Sequence, residues 1–327
     1  MNYLKLKKQI IQAAAKQLIP VHGEFELTSD CNCQCMMCYL ERRRKGLSTE
    51  EWKQIFSEAV ASGMLYALLT GGEILTRRDF LELYNFLYDF GVRITLFTNA
   101  TLLNEEILHQ FQKRPPEQVI ITLYGANNKT YQEITKLKNG FDLVRHGLDL
   151  LETSGLNYLV RTIPLRPIYN ELDELIDFVR GRNLQLGYSL YLAPKQNGQK
   201  IDDRLDPNEL LDFENKIRSA FPQIPLQRSN DCSALKSAFF INCEGRMQAC
   251  SLANSGKSVL ESGFLATWEE LSAKTVLKNP NVCKDCRLAI HCLRCPVRLD
   301  LEGSQDCCCS YFQELANLRY RRDYGKI

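Results

Sequence analysis

Fourteen cysteines in a chain of 327 residues fall into two groups, and their placement limits the fold more than any other feature. Four lie between Cys31 and Cys38, ten lie between Cys232 and Cys309, and none occurs from Tyr39 to Asp231. Disulfides would be expected in an exported chain. No export signal is visible, because Lys5, Lys7 and Lys8 precede Ala13-Ala14-Ala15 and Lys16 ends the apolar stretch almost at once. Clustered thiols in a reducing compartment are more often metal ligands, and sulfur-rich sets point to zinc or to iron–sulfur clusters. No segment approaches the ~20 consecutive apolar residues of a membrane span, so a cytoplasmic protein with no membrane partner is expected. The first residues read as an amphipathic lead-in helix with Leu4, Ile11, Ala14 and Leu18 on one side. With 41 basic and 39 acidic side chains the formal charge is +2, which offers no field for general nucleic-acid binding. The run Arg42-Arg43-Arg44-Lys45 suits a solvated helix face, or the steering of an acidic peptide or a reductase.

Between the two cysteine groups, short apolar runs alternate with segments of helical period. Phe25–Ser29, Met64–Leu69, Val92–Phe97, Val119–Leu123, Tyr158–Ile163 and Gly187–Leu192 are apolar nearly throughout, as strands covered on both faces should be. Ser48-x-x-Glu51 is a capping box that opens a helix with Trp52, Ile55, Phe56, Ala59 and Val60 on one stripe. Further helices carry Phe80, Leu83, Tyr84 and Leu87 before Gly91, Phe141 to Leu151 before Gly155, and Leu172 to Val179 before Gly181. Six strands alternating with helices imply an α/β fold with a parallel sheet, and pattern alone leaves a partial barrel and a doubly wound layer both open. In either, ligands bind at the carboxyl ends of the strands. Cys31 to Cys38, Gly71-Gly72-Glu73, Thr98-Asn99 and Tyr124-Gly125 all fall there.

The first group has the frame Cys31-x3-Cys35-x2-Cys38. A cubane held by three thiolates leaves one iron open to an exogenous molecule, whereas a closed structural site needs a fourth ligand. Cys33 could supply that fourth ligand for zinc or for a closed cluster. This loop, followed by Thr70-Gly71-Gly72-Glu73 after the second strand, resembles the radical SAM superfamily. The resemblance implies a partial (β/α)6 TIM-like barrel. It also implies a [4Fe–4S] cluster on Cys31, Cys35 and Cys38, with Cys33 left out, whose free iron takes the amino and carboxylate groups of S-adenosylmethionine (SAM). Two glycines would let the backbone approach the methionine moiety, and backbone carbonyls or Glu73 would accept from its ammonium. By family position Asn99 and Thr122 are ribose or carboxylate contacts, and Arg161 could pair with the carboxylate. Each of these is alternatively a polar rim residue. Met37 departs from the aromatic or His that many members place beside adenine.

After Phe221-Pro-Gln-Ile-Pro225 the strand–helix repeat stops, which suggests a core over residues 1–222 and a cysteine-rich domain over 223–327. So small a domain with so many thiols is expected to fold around its metals. Taken alone, Cys283-x2-Cys286-x5-Cys292-x2-Cys295 fits a zinc ribbon as well as an iron–sulfur site. With Cys232, Gly245-x4-Cys250 and the run Cys307-Cys308-Cys309, the spacing resembles the SPASM domain, which carries two auxiliary [4Fe–4S] clusters. The resemblance gives Cys232, Cys250 and Cys295 to the first cluster. It gives Cys283, Cys286, Cys292 and one of Cys307, Cys308 and Cys309 to the second. The last spacing is x2 where the family has x3. Cys243 is left to complete the first cluster, to pack, or to donate a hydrogen atom.

SPASM members mostly modify peptides or proteins. The resemblance therefore implies a maturase that forms a thioether or C–C cross-link in a ribosomally made peptide, fed by a flavodoxin- or ferredoxin-type reductant. Sulfatase-activating relatives carry Asp directly after the Gly-x4-Cys cysteine, where this chain has Ser251. Work on a cofactor precursor, for example a tetrapyrrole side chain, is the alternative, and a zinc-binding scaffold on a barrel relic is the non-catalytic one. Only 24 residues precede the first predicted strand, so a leader-binding module is not expected here and a separate leader-binding protein could take that part. No general acid or base is identified by sequence. Tyr124 and Glu26 are candidates by position alone.

Overall fold

The computed structural model describes residues 3–40, 44–195, 199–222, 232–253, 255–274, 283, 285–304 and 309–325. Among them one sheet is formed by β1 (His22–Glu26), β2 (Tyr66–Thr70), β3 (Arg93–Thr98), β4 (Gln118–Thr122), β5 (Tyr158–Thr162), β6 (Leu186–Tyr188), β7 (Ala238–Ile241), β8 (Arg246–Gln248) and β9 (Gly256–Ser258). The strand order is β6-β5-β4-β3-β2-β1-β7-β8-β9, parallel as far as β7 and antiparallel from β7 to β9. From β1 to β6 that order never reverses. With right-handed crossovers, an order without a switch point puts every connecting helix on the same face. A sheet covered on one face only can curl, and this decides between the two architectures in favour of the partial barrel.

The covered face is hydrophobic for a clear reason. Phe25 of β1 is fully buried and meets Trp52 and Phe56 of the helix Thr49–Ala61 edge to face, with Phe239 of β7 beside it. That helix opens with the expected capping box between Ser48 and Glu51. Side chains alternate along a strand, so His22, Glu24 and Glu26 turn to the concave face. This corrects the expected first strand, Phe25–Ser29. The true strand starts three residues earlier, at His22, where His22 and Glu24 break the apolar run. The sixth strand is also shorter than expected, ending at Tyr188. Beyond it Leu190 and Tyr191 turn to line an interior cavity.

Residues beyond 222 continue the same sheet, because β7 lies parallel on β1. Helix Ser310–Tyr324 also packs on helix Pro207–Ala220, where Arg319 pairs with buried Glu214. Glu302 accepts from Tyr191 at 2.6 Å and from Arg204 at 2.7 Å. The division at 222 thus separates parts that share a sheet and buried ion pairs, and as a domain boundary it stands as our proposal.

The lead-in helix runs from Tyr3 to Gln17 and lies across the far end of the barrel. The expected apolar stripe is only partly used: Ala14 is buried, but Leu4 and Leu18 are exposed. The helix is fixed instead by Tyr3 and Lys7, which donate to Glu117 at 3.0 and 2.8 Å. Near this end His22 is half-buried, and desolvation, followed by the Lys7 charge, pushes its imidazole down from 6.5 to about 4. The unfolded chain then binds the extra proton, so this contribution to stability is complete above pH 6.5 and is lost as pH falls towards 4. Its size is on the order of 3 kcal/mol. Urea unfolding of His22→Gln should therefore lose less stability across that pH window than the parent chain, and identical slopes would exclude His22 as the titrating group.

Candidate active site

The carboxyl ends of β1, β2 and β3 meet at one rim, and backbone hydrogen bonds lock their loops together. Gly72 N–H donates to the Thr28 carbonyl and Glu73 N–H to the Asp30 carbonyl, each at 2.8 Å, so the β2 loop is laid directly on the chain that enters the cysteine loop. Only glycine permits this. A Cβ at Gly71 would come within 2.5 Å of the Thr28 oxygen, and one at Gly72 would overlap the Asp30 carbonyl and press on Cys31. The far side of the cysteine loop is held by helix Asn128–Thr135, whose Thr135 and Ile134 carbonyls accept from Gln34 and Met36 at 2.6 and 3.0 Å.

Glu73 is held inside the rim by its own neighbours. Its carboxylate is 1% exposed and accepts from Leu75 N–H at 3.1 Å, Thr98 Oγ1 at 2.8 Å and Asn99 N–H at 2.7 Å. Burial raises its pKa, while those donors, led by Asn99 N–H, pull it back. It therefore binds the β2 loop to the end of β3. Asn99 in turn donates through Nδ2 to Asn32 Oδ1 at 2.9 Å, and Asn32 donates to Thr101 at 2.8 Å. Asn32, Thr98 and Thr101 had no motif to mark them.

Cys31, Cys35 and Cys38 are all partly exposed on this loop, as a ligand set facing a cofactor should be. Tyr124, at the end of β4, has these sulfurs as neighbours: burial first, then Cys35, Cys33 and Cys31, raise its phenol well above the usual range. Thr122 and Arg161 are register partners on β4 and β5. Arg161 hydrogen-bonds Ser189, lies 5.4 Å from the Phe97 ring centroid and lines a cavity of about 730 Å³ inside the barrel. The structure therefore brings Tyr124 and the thiols together and puts Arg161 in the cavity wall behind them. Three thiols on one braced loop fit a [4Fe–4S] cluster by donor chemistry.

A second cavity, of about 620 Å³, shares Tyr188, Leu190 and Arg298 with the first and reaches the cysteine-rich region. Cys232, Cys250, Cys292 and Cys295 line it, and Glu24 enters it from β1. Cys295 neighbours both Cys232 and Cys250, whereas Cys292 neighbours Cys286 and Cys309. Cys283 is buried. Cys307 and Cys308 lie outside the described residues. Cys243 is placed elsewhere: its N–H donates to Glu26 Oε1 at 3.4 Å and its thiol also bonds Glu26, which is paired with Arg44. The same contacts make Glu26 a tie between strands. Among the described residues no three His, Cys, Asp or Glu side chains close round one point as ligands of a single metal ion do.

Two residues that the sequence did not mark stand between these regions. Tyr39, directly after Cys38, hydrogen-bonds Ser251, directly after Cys250, and has Glu26 and Glu24 as neighbours. Burial holds the Glu24 carboxyl above the usual range. Its alternation with Phe25 was the one available signal.

The Radical SAM superfamily model matches residues 25–179, the stretch that holds the cysteine loop, the Gly71-Gly72-Glu73 turn and strands β2 to β5. Among curated relatives, the AdoMet-dependent heme synthase of Methanosarcina barkeri is 25% identical over 183 residues, 55% of this chain and 52% of that protein. The antilisterial bacteriocin subtilosin biosynthesis protein AlbA of Bacillus subtilis is 23% identical over 294 residues, 85% of this chain and 65% of that one. The chain thus spans between half and two thirds of the length of these two relatives. In fold it matches SuiB of Streptococcus suis, solved bound to the precursor peptide SuiA. The TM-score is 0.70 at 17% identity, covering 91% of this chain and 78% of that one. No helix among the described residues is long and apolar enough to cross a membrane.

The glycine contact gives a direct test. Gly72→Ala should cost about 1–3 kcal/mol by overpacking and should displace the cysteine loop enough to lower iron retention and SAM binding together. Full retention of both would show that the loop does not depend on this contact.

Proposed function

We propose that this protein is a radical SAM enzyme that cleaves SAM reductively and modifies a ribosomally made peptide by forming a thioether or C–C cross-link. The observation that carries the reading is the Cys31–Cys38 loop braced on Gly71-Gly72-Glu73 at the carboxyl ends of β1, β2 and β3. When bound, a reduced cluster and SAM would supply a 5′-deoxyadenosyl radical able to take a hydrogen atom from the substrate. The residues of the chain hold, orient and shield. Cys31, Cys35 and Cys38 would hold the cluster, and the Gly71-Gly72 backbone would meet the methionine moiety. Because the Glu73 carboxylate is already engaged by three donors, we assign it to fixing that backbone, with carbonyl oxygens left to accept from the ammonium. Asn99 and Thr122 would meet the remaining polar groups of SAM. Phe97, Ile120, Leu159 and Tyr188 wall the cavity with carbon and keep water from a reactive centre.

Auxiliary [4Fe–4S] clusters are proposed on Cys232, Cys250 and Cys295, and on Cys283, Cys286, Cys292 and Cys309. The neighbour relations of these thiols support the grouping. A flavodoxin- or ferredoxin-type reductant and a separate leader-binding protein complete the proposed partners. The likeness to a heme synthase supports the second reading, action on a tetrapyrrole side chain.

Anaerobic reconstitution with iron and sulfide, followed by SAM and dithionite, tests the reading. Formation of 5′-deoxyadenosine is expected, with iron well above one cubane per chain and loss of the product on Cys35→Ala. Binding of zinc with no cleavage of SAM would overturn it in favour of a scaffold.

A further inference from the structure

The cysteine loop carries a fourth thiol that the ligand set above does not use. Cys33 stands two residues from Cys31 and two from Cys35, a spacing that puts side chains on one side wherever the backbone is extended. Here the three do meet: the Cys33 side chain hydrogen-bonds those of both Cys31 and Cys35, and its N–H donates to Cys31 Sγ at 3.4 Å. Cys33 is 2% exposed. A buried structural cysteine normally packs as a small hydrophobe, but this one faces polar groups. Asn99 Nδ2 donates to its sulfur at 3.6 Å, and Glu73 is its neighbour. Asn99 and the Gly71-Gly72-Glu73 turn are also the residues set against SAM in the reading above. The fourth thiol is therefore held on the side of the loop from which SAM would approach.

We propose that Cys33 is the fourth protein ligand of the cluster while SAM is absent, and that SAM binds by displacing it. The inference rests on the radical SAM reading. In the exchange one iron–sulfur bond breaks, and bonds from the amino nitrogen and the carboxylate of SAM form. The thiolate that leaves takes up the proton that the ammonium must lose to coordinate, so charge balances and no electron moves. Asn99, which donates to the displaced sulfur, keeps the thiol placed for return. The resting cluster is closed and protected from losing its fourth iron, and SAM must compete for that iron.

Wild-type protein, Cys33→Ala and Cys33→Val would be reconstituted anaerobically to equal iron content. They would be treated with ferricyanide, and the [3Fe–4S] signal followed by electron paramagnetic resonance. Cys35→Ala supplies the signal of any auxiliary clusters. Without SAM the variants should form the [3Fe–4S] species several-fold faster than wild type, and SAM should suppress the difference. If Cys33 holds the iron nine-tenths of the time, removing it should tighten SAM binding about tenfold. Equal oxidation rates and equal SAM affinities would overturn the proposal while leaving the radical SAM reading intact. Should the variants fail to assemble, Mössbauer spectroscopy of the wild type with ⁵⁷Fe decides. Four sulfur-ligated irons in the cluster before SAM, and one changed site after it, are expected, whereas an oxygen- or nitrogen-ligated iron before SAM overturns the proposal. If the wild type binds neither cluster nor SAM, both readings fall.

Discussion

The site depends first on a carboxylate buried where water cannot reach it. Removing the Glu73 charge from solvent costs free energy that is recovered only if its oxygens are well supplied with donors. Leu75 N–H, the Thr98 hydroxyl and Asn99 N–H supply them. Each of those donors lies on the loop or strand that must be held still. The β2 loop is thereby joined to the end of β3, and through Gly72 and Glu73 N–H to the chain entering the cysteine loop. Three loops that would otherwise move independently become one rigid rim. The thiols at Cys31, Cys35 and Cys38 inherit that rigidity, which is what ligands need if they are to hold a cofactor in one geometry.

The same logic explains why the concave face of the sheet is polar. The helices that connect the parallel strands cover the outer face, so Phe25 can be enclosed among aromatic rings while Glu24 and Glu26, its neighbours in sequence, point inward. Glu26 is neutralised by Arg44 and bound to the Cys243 backbone, which fixes β7 beside β1. Tyr39 and Ser251 add a second tie, each next to a cysteine from a different group. The two cysteine groups, separated by nearly two hundred residues of sequence, thus face a common interior through side chains that span the barrel.

Much of this was legible beforehand where the signal is local. The Gly71-Gly72-Glu73 turn and the Ser48–Glu51 capping box depend on residues close in sequence, and each forms where its spacing implied. The start of the first strand is not legible in this way, because carboxylates alternating with apolar residues have a loop-like composition and only the cavity on one face of the sheet accounts for them.

The sequence alone determined which residue types are available and in what local order: thiols in two groups, strands alternating with helices, and glycines where the chain must approach itself. Only the tertiary structure decided which thiols meet, because Cys295 reaches Cys250 and Cys232 across folded chain while Cys243, closer in sequence to Cys250, is held by Glu26. It also decided that Glu73 braces the rim, since donors from β3 lie more than twenty residues away in sequence. Spacing encodes contacts made within a turn or a loop. Contacts across the barrel depend on strand order and on which way each side chain faces, and those follow from burying one face of the sheet and leaving the other open.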